Sequence, residues 1–240
     1  MVSAALKKAW ELYWQNFGLI AGVLLVIALP LDLLSSYMDY FVFDPDDIRK
    51  SFRFSMFLQS FIGIIATASI ISIGYGSSQD RQPSFGRSLA IGFRSWLPLC
   101  LTNLLAGLTV LLYGVALIIP GIWMSIKLVL TEPVVVCEKL MGRTAMNRSM
   151  DLTKNRFWEI FLLVLLYVLL TAIFFVGINL IDYHIPFDYW LIDAAISLVM
   201  DFVRAFGTLC FFCAYLRCVE LEKSDMAEKS DSEIFFSNPA

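Results

Sequence analysis

Residues 157–181 read FWEIFLLVLLYVLLTAIFFVGINLI and contain one charged side chain, that of Glu159. A helix that crosses a bilayer needs roughly 20 mostly apolar residues, and this stretch exceeds that length. The stretch therefore predicts a membrane-spanning helix. It assigns the chain to the integral membrane proteins before any motif is considered.

The composition of the whole chain points to the same class. Hydrophobic residues make up 59% of the 240 residues and charged residues only 16%, whereas an average soluble domain carries about 25% charged residues. A chain this apolar cannot cover its core with polar surface, which excludes a water-soluble globular protein. The formal net charge of -3 argues against nucleic acid as a partner.

Six stretches in all are long and apolar enough to span a membrane. We therefore expect an all-α polytopic membrane protein, with six transmembrane helices in residues 1–219. Residues 220–240 lose the apolar periodicity, and we expect them to form an acidic, disordered cytoplasmic tail. The six predicted spans are residues 17–38, 56–76, 96–119, 121–137, 157–181 and 190–216. Only Pro120, Gly121 and their immediate neighbours connect the third and fourth spans, so we expect these two helices to be antiparallel neighbours, with Pro120 starting the fourth helix and Gly121 permitting the tight reversal.

The connections between these spans alternate between rich and poor in basic residues. Thirteen Lys and Arg residues fall on one side of the membrane and three on the other. Because connections rich in Lys and Arg stay in the cytoplasm, we expect both termini to be cytoplasmic. The thirteen are Lys7, Lys8, Arg81, Arg87, Arg94, Lys139, Arg143, Arg148, Lys154, Arg156, Arg217, Lys223 and Lys229, and the three are Arg49, Lys50 and Arg53.

Three segments on the predicted cytoplasmic side have amphipathic helical spacing. Each leads into an odd-numbered span, and we expect each to form an in-plane helix at the membrane surface. Their apolar positions are Leu6, Trp10, Tyr13 and Phe17; Phe85, Leu89, Phe93 and Trp96; and Met146, Met150, Thr153 and Phe157.

The most distinctive part of the chain is residues 118–161, IIPGIWMSIKLVLTEPVVVCEKLMGRTAMNRSMDLTKNRFWEIF. It begins with a Pro-Gly pair, places a lysine in the following helix and a proline before a β-branched run, and continues with an acidic residue at the membrane edge. An Arg-Ser pair, a Leu-Thr pair and an aromatic residue follow. These positions are Pro120, Gly121, Lys127, Pro133, Glu138, Arg148, Ser149, Leu152, Thr153 and Phe157.

This pattern resembles the segment shared by the YciC-like inner-membrane proteins and the glycerophosphoryl diester phosphodiesterase membrane-domain family. The resemblance implies a multispanning protein of the bacterial cytoplasmic membrane. It does not imply phosphodiesterase activity, because in the fused members that activity belongs to a separate soluble domain. The family usually has arginine at the position of Lys127, and a lysine lacks the bidentate geometry of a guanidinium.

The sequence contains no residue pattern typical of a catalytic centre. It has no glycine-rich phosphate loop, no nucleophile elbow and no Ser, His and Asp set. Its nearest approach to a metal site is Asp182, His184 and Asp188 in an aromatic-rich outer loop, which we expect to be solvated rather than metal-bound. We expect no enzyme activity, no cofactor and no metal.

Polar and small residues nevertheless fall on single faces of three spans. They are either helix-packing residues, which explains the small ones, or the lining of a polar path near the bilayer midplane. The faces carry Ser60, Gly63, Thr67 and Gly74 in the second span, Asn103, Gly107 and Gly114 in the third, and Asp193, Ser197, Asp201, Arg204 and Thr208 in the sixth.

Four of the charged residues lie deep enough to need a partner, and the helical rise ranks their depths. From Pro120, Lys127 lies about 10 Å and Glu132 about 18 Å below the outer surface. In the sixth span, Asp201 lies about 13 Å and Arg204 about 18 Å below it. We expect Lys127 near Asp201 and Glu132 near Arg204; the alternative is that Asp201 and Arg204 neutralise each other while Lys127 extends outward.

Two functions are consistent with this sequence. The first is a non-enzymatic envelope protein that binds membrane lipids, with a membrane-protein partner or a second copy of the chain as alternatives. The second is a small permease or exporter with a polar path near the fourth and sixth helices. Specific lipid recovery in mild detergent distinguishes the first, and solute flux distinguishes the second.

Overall fold

The structure, a computed structural model, describes residues 2–43, 48–184 and 190–237, and the regular elements in these ranges are all helices. Six helical segments are long and apolar enough to cross a membrane. The predicted all-α fold with six spans is therefore confirmed. The segments are Phe17–Phe41, Arg53–Ser78, Phe85–Val115, Ile118–Glu138, Phe157–Ile178 and Trp190–Ala227.

The first two spans are each interrupted by a π-helical turn. The chain begins with α1 (Val2–Gln15), and the first span consists of α2 (Phe17–Val23), the turn Leu24–Ala28 and α3 (Leu29–Phe41). Pro30 has no N–H to donate to the carbonyl four residues earlier, which favours a local change of helical register there. The second span joins α4 (Ile48–Leu58) to α5 (Ile64–Ser78) through the turn Gln59–Gly63.

The third and fourth spans form an antiparallel hairpin, as predicted. They are α6 (Phe85–Ala116) and the pair α7 (Ile118–Leu128) and α8 (Thr131–Glu138). The reversal lies at Leu117, whose backbone is extended, and not at Pro120 and Gly121 as predicted. Both residues belong to the start of α7, because a first helical turn does not need the N–H that proline lacks.

Gly121 has a different role from the predicted one. A Cβ atom built on it would lie 2.8 Å from the Cα of Gly114 in α6. The absence of a side chain therefore lets the two helices approach closely, as small residues do at helix contacts in membranes.

The last three helices are α9 (Gly142–Lys154), α10 (Phe157–His184) and α11 (Trp190–Ser237). The predicted disordered tail begins at residue 220, but α11 continues as helix through Ser237 without a break there. Ion pairs from this extension to α9 and the residues after it contribute to that difference. The division of the chain into a six-helix domain and a separate tail remains a prediction.

Contacts between chain connections define two ends of the bundle. At one end, Ser77 Oγ lies 3.0 Å from Asn16 Oδ1, and α9 contacts the late part of α11. At the other end, Ser36 donates a hydrogen bond to the carbonyl of Trp190. We call the first the basic end. It holds α1, α9 and the connection from α5 to α6, which carry many of the thirteen Lys and Arg residues of the predicted cytoplasmic side.

Two of the three predicted in-plane segments are separate helices, α1 and α9. The third, residues 85–96, is the beginning of α6 and continuous with the third span. α1 buries Ala5, Ala9 and Leu12 and leaves Trp10 and Trp14 exposed. How these segments lie relative to the membrane remains a prediction.

The core of the bundle lies between α5 and α11. Leu209 and Phe212 of α11 are buried against Gly74 of α5, where a Cβ atom would lie 2.9 Å from Leu209 Cδ2. By contrast, α6 and α10 expose most of their apolar residues. Because lipid rather than water surrounds such helices, apolar exposure is what the membrane requires.

Candidate functional site

The break between α7 and α8 is closed by side chains from α9. The Ser149 hydroxyl donates to the carbonyl of Lys127 at 2.8 Å. The Thr153 hydroxyl donates to the carbonyl of Ser149 at 2.7 Å and makes a longer contact of 3.4 Å to the carbonyl of Lys127. Both residues are fully buried. A helix end inside a membrane leaves carbonyls without partners, so these motif residues satisfy a group that would otherwise be buried and unpaired.

Arg148 joins three parts of the chain at the basic end. Its Nε lies 3.1 Å from a carboxylate oxygen of Glu138, and its two terminal nitrogens each lie 2.7 Å from Glu222. Tyr215 donates a hydrogen bond to the same Glu138 at 3.0 Å. The hydrogen bond to Glu222, ahead of the opposing effect of burial, raises the pKa of Arg148 above its usual value. Arg156 and Asp225 form a longer ion pair nearby, at 3.7 Å.

The motif residues therefore form one structural unit. From α9, Arg148 reaches Glu138 at the end of α8, while Ser149 and Thr153 reach Lys127 near the end of α7, and Leu152 of the same helix is buried. Pro133 lies in the first turn of α8, just after the break. Pro120 and Gly121 lie at the other end of the same helical hairpin.

The predicted pairs between the fourth and sixth spans do not form. Lys127 Nζ lies 3.5 Å from the centre of the Trp123 ring and makes no ion pair within the described part of the chain. Glu132 accepts a hydrogen bond from Asn103 at 3.0 Å. Arg204 pairs with Asp201, three residues earlier on α11, at 2.9 Å. The alternative interpretation, in which Asp201 and Arg204 neutralise each other, matches the structure.

The polar network around Asp201 extends into the first two spans. Arg204 also donates to Oε1 of Gln59 at 2.9 Å, and the Gln59 amide lies 3.4 Å from Oδ1 of Asp32. Asp32 and Asp201 are 4% and 5% exposed. Gln59 belongs to the π-helical turn of the second span, and such turns are frequent at functional positions.

Sequence reasoning missed Asp32 and Gln59. Asp32 could have been found, because it is a carboxylate inside the first predicted span, six residues or about 9 Å from its outer end at Met38. Gln59 gave no comparable signal, since an uncharged amide near the end of a span is unremarkable.

A central cavity of about 690 Å³ lies beside this network. Three of the four predicted cluster residues line it, Glu132, Asp201 and Arg204, whereas Lys127 does not. Part of each polar face predicted on three spans also meets here, whereas the predicted members Gly74, Gly114, Asp193 and Ser197 do not line this cavity. The cavity is lined by Ser60, Gly63 and Thr67 of the second span, Asn103 and Gly107 of the third, and Asp201, Arg204 and Thr208 of the sixth.

A second cavity, of about 660 Å³, opens at the basic end between α5, α6 and the end of α8. None of its lining residues is acidic. Four cationic side chains line it, those of Arg81, Arg87, Arg94 and Lys139. Its remaining wall combines hydroxyls such as Ser84 and Ser88 with apolar groups such as Val135 and Ile91. We call this the basic cavity.

No group of three or more His, Cys, Asp or Glu side chains that could hold a metal ion occurs within residues 2–43, 48–184 and 190–237. The predicted solvated set of Asp182, His184 and Asp188 lies outside the side chains that the structure describes.

A comparison with known protein families identifies the family of this chain. Residues 101–232, more than half of the chain, match the membrane domain of glycerophosphoryl diester phosphodiesterase. The chain belongs to this membrane-domain family. A search of the curated proteins found no match, and a search of the solved structures found none either.

The membrane-domain segment contains some of the polar features and not others. The unit of Glu138, Arg148 and Glu222 lies wholly within the matched residues. The basic cavity draws three of its four cations from residues before the match, and Asp32 and Gln59 also precede it. The motif residues therefore lie within the family match, while the basic cavity also draws on residues before it.

Proposed function

We propose that this protein is a non-enzymatic, multi-pass protein of the bacterial cytoplasmic membrane whose basic cavity binds the phosphate headgroup of a membrane lipid. The observation that carries the proposal is the convergence of Arg81, Arg87, Arg94 and Lys139 on one cavity with no acidic residue in its lining. Within the described residues, none of the four forms an ion pair.

A phosphate group matches this lining chemically. Arginine presents several N–H donors in a planar fork that fits phosphate oxygens. The cavity also includes Ser84 and Arg87 at the beginning of α6, and a helix N-terminus carries partial positive charge and free N–H groups. Both features favour an anion over a neutral or cationic ligand.

The surroundings of the cavity suit a lipid better than a free solute. Phe93 and Leu97 of α6 are exposed on the outside of the bundle, close in sequence to Arg94. A headgroup in the cavity would leave acyl chains free to lie along this apolar surface. The wall formed by Val135 and Ile91 offers further apolar contact.

The proposed orientation puts the basic end in the cytoplasm. The thirteen to three distribution of Lys and Arg favours it, and the inner leaflet of a bacterial membrane would then surround the cavity. A basic residue near an anionic lipid surface contributes about 1 kcal/mol of attraction, so four of them favour an anionic phospholipid over a zwitterionic one.

The test is lipid retention measured by native mass spectrometry after exchange into defined detergent and phosphatidylglycerol. We expect the wild type to retain one lipid, and Arg87→Gln with Arg94→Gln to weaken binding roughly thirtyfold, from about 1 kcal/mol lost per charge. The matched control is Arg143→Gln, which removes an exposed arginine of α9 that does not line the cavity.

Two results would contradict the proposal: equal lipid retention in the double variant and the wild type, or an equal loss in the Arg143 control. A further arm adds inorganic phosphate. Displacement of the lipid by millimolar phosphate alone would identify the site as one for free phosphate rather than for a lipid.

The central cavity favours a second candidate, a small permease or exporter. Its lining brings together polar residues from the interior of the second, third, fourth and sixth spans. Transporters bind substrate between such spans, near the middle of the bilayer. Uptake or efflux of radiolabelled solutes in proteoliposomes tests it. We expect Glu132→Gln and Arg204→Gln to abolish any flux, and a bilayer that stays impermeable to every solute tested would count against this candidate.

A further inference from the structure

A third cavity lies at the end of the bundle opposite the basic one. Its volume is about 480 Å³, and it lies between α3, the second span and the beginning of α11. We call it the acidic cavity, because four carboxylates and a single guanidinium line it. These are Asp32, Asp39, Asp193, Asp201 and Arg204.

Three of these carboxylates have buried oxygens without a partner. They are Asp32 Oδ2, Asp39 Oδ1 and Asp201 Oδ2, and the fourth such oxygen in the described part of the chain is Glu159 Oε2, which is not part of this cavity. Asp32 and Asp201 are more than nine-tenths buried. Buried polar atoms in proteins nearly always have a hydrogen-bond partner, so three orphaned oxygens around one cavity point to a missing donor.

The protein's own cation does not supply that donor. Arg204 is 2.9 Å from Oδ1 of Asp201 and 2.9 Å from Gln59, with its side chain about half exposed. That arrangement leaves the second oxygen of Asp201, and one oxygen each of Asp32 and Asp39, without a donor from Arg204. The carboxyl groups of Asp32 and Asp201 also lie within hydrogen-bonding reach of each other, which requires a proton or another donor between them. Because a carboxylate inside a membrane is costly without a counter-charge, the single guanidinium leaves the site short of donors.

We propose that the acidic cavity binds an organic cation that carries an ammonium group. An ammonium group has N–H donors and no acceptor, which suits a cavity whose buried acceptor oxygens lack donors. The cavity is within the usual size range of small-molecule pockets, roughly 300–1,000 Å³, and far larger than a bare metal ion. Leu31, Ile196 and Met200 provide apolar contact for the hydrocarbon part of the ligand.

This inference concerns binding alone and does not depend on the lipid site, although the acidic cavity shares Asp201 and Arg204 with the central cavity. It uses neither the basic cavity nor any flux. The site opens at the opposite end of the bundle from the proposed lipid site, so failure of one proposal leaves the other intact.

The experiment measures binding of n-butylamine and 1,4-diaminobutane to the full chain in detergent, by calorimetry and by the shift of thermal unfolding. Butan-1-ol is the uncharged control, and sodium chloride at equal ionic strength controls for screening. We expect both amines to bind and to raise the unfolding temperature. Asp32→Asn and Asp39→Asn should each weaken amine binding at least about tenfold, because each removes a desolvated charge partner.

The matched control is Glu159→Gln, which removes the one orphaned carboxylate outside the cavity and should leave amine binding unchanged. Asp39→Asn provides the test if Asp32→Asn does not fold, since Asp39 is only half-buried. The proposal is overturned if the wild type binds neither amine, if butan-1-ol or sodium chloride has the same effect, or if the aspartate variants bind as well as Glu159→Gln. Stabilisation of the wild type by lowered pH alone, with no amine binding, would show that a proton satisfies the site instead.

Discussion

At the scale of single residues, Arg148 has the densest set of polar contacts at the basic end. Its guanidinium bonds to Glu138 of α8 and to Glu222 of α11 from its own position on α9. The side chains of Arg148, Glu138 and Glu222 are 26%, 25% and 35% exposed, so water screens the pairs only in part. A planar, bidentate group is needed for this geometry, which is why lysine is not equivalent.

Replacement of Arg148 by alanine should therefore destabilise the protein. We expect a loss of about 2 kcal/mol in unfolding free energy, because charge-assisted hydrogen bonds to two carboxylates are removed. Arg148→Lys should recover less than half of it. Thermal unfolding in detergent measures the change, with Arg143→Ala on the same helix as control; an equal loss in that control would contradict the assigned role.

Gly121 provides a second prediction at this scale, based on space rather than charge. Gly121→Ala should cost about 1–3 kcal/mol, because the added methyl would lie 2.8 Å from the Cα of Gly114 and would force the hairpin apart. Gly114→Ala is the control, since a Cβ atom there meets nothing within 4 Å. Thermal unfolding should separate the two variants, and indistinguishable midpoints would argue against close packing at this point.

At the scale of elements, the break between α7 and α8 is the feature that the family motif serves. Pro133 has no N–H to donate to the carbonyl of Val129 four residues earlier, and the carbonyl of Lys127 near the end of α7 accepts hydrogen bonds from the Ser149 and Thr153 hydroxyls. The motif spacing of four residues between the two hydroxyls puts them on one face of α9. The Ser149 and Thr153 positions of the motif, on α9, are thus explained by the break between α7 and α8.

Ser149→Ala combined with Thr153→Val should cost about 2 kcal/mol in unfolding free energy, since two buried hydroxyl hydrogen bonds are lost, one to the carbonyl of Lys127 and one mainly to that of Ser149. Ser125→Ala is the control. The Ser125 hydroxyl is exposed and bonds to a carbonyl of its own helix, and its loss should have little effect. A double variant as stable as the Ser125 control would show that the carbonyl finds another partner.

The charged cluster shows where sequence reasoning about elements ends. Depth along a helix follows from the rise per residue; it put Glu132 and Arg204 at the same level, and both line the central cavity together with Asp201. Depth does not give the direction in which a side chain leaves the helix. Lys127 therefore matched Asp201 in depth but points to Trp123, and Asp32 on another span completed the network.

At the scale of the whole molecule, the six spans and their antiparallel hairpins could be predicted because apolar length is a local property of the sequence. The position of the hairpin reversal could not, because Leu117, Pro120 and Gly121 all lie in one uninterrupted apolar run. The cavities could not be predicted either, since each depends on how three or more helices pack. The polar faces of the spans were predicted, but not that they meet.

The arrangement of the chain across the membrane gives a prediction at this scale. A membrane-impermeant maleimide should label Val42→Cys in intact cells, and Gln82→Cys and Lys223→Cys only after permeabilisation. Connections rich in basic residues remain cytoplasmic, and positions 82 and 223 belong to the basic end. The unmodified chain measures background from its five cysteines. The reverse labelling pattern would show that the basic end faces outward.

Photo-crosslinking in living cells tests the lipid site most directly. A photoreactive amino acid at position 82, which lines the basic cavity, is introduced into cells grown with radioactive phosphate, and the protein is purified after irradiation. We predict a radioactive phospholipid adduct that is largely lost when Arg87→Gln and Arg94→Gln are added. An adduct of equal yield with and without these two arginines, or no phospholipid adduct at all, would contradict the binding of a phosphate headgroup in the basic cavity.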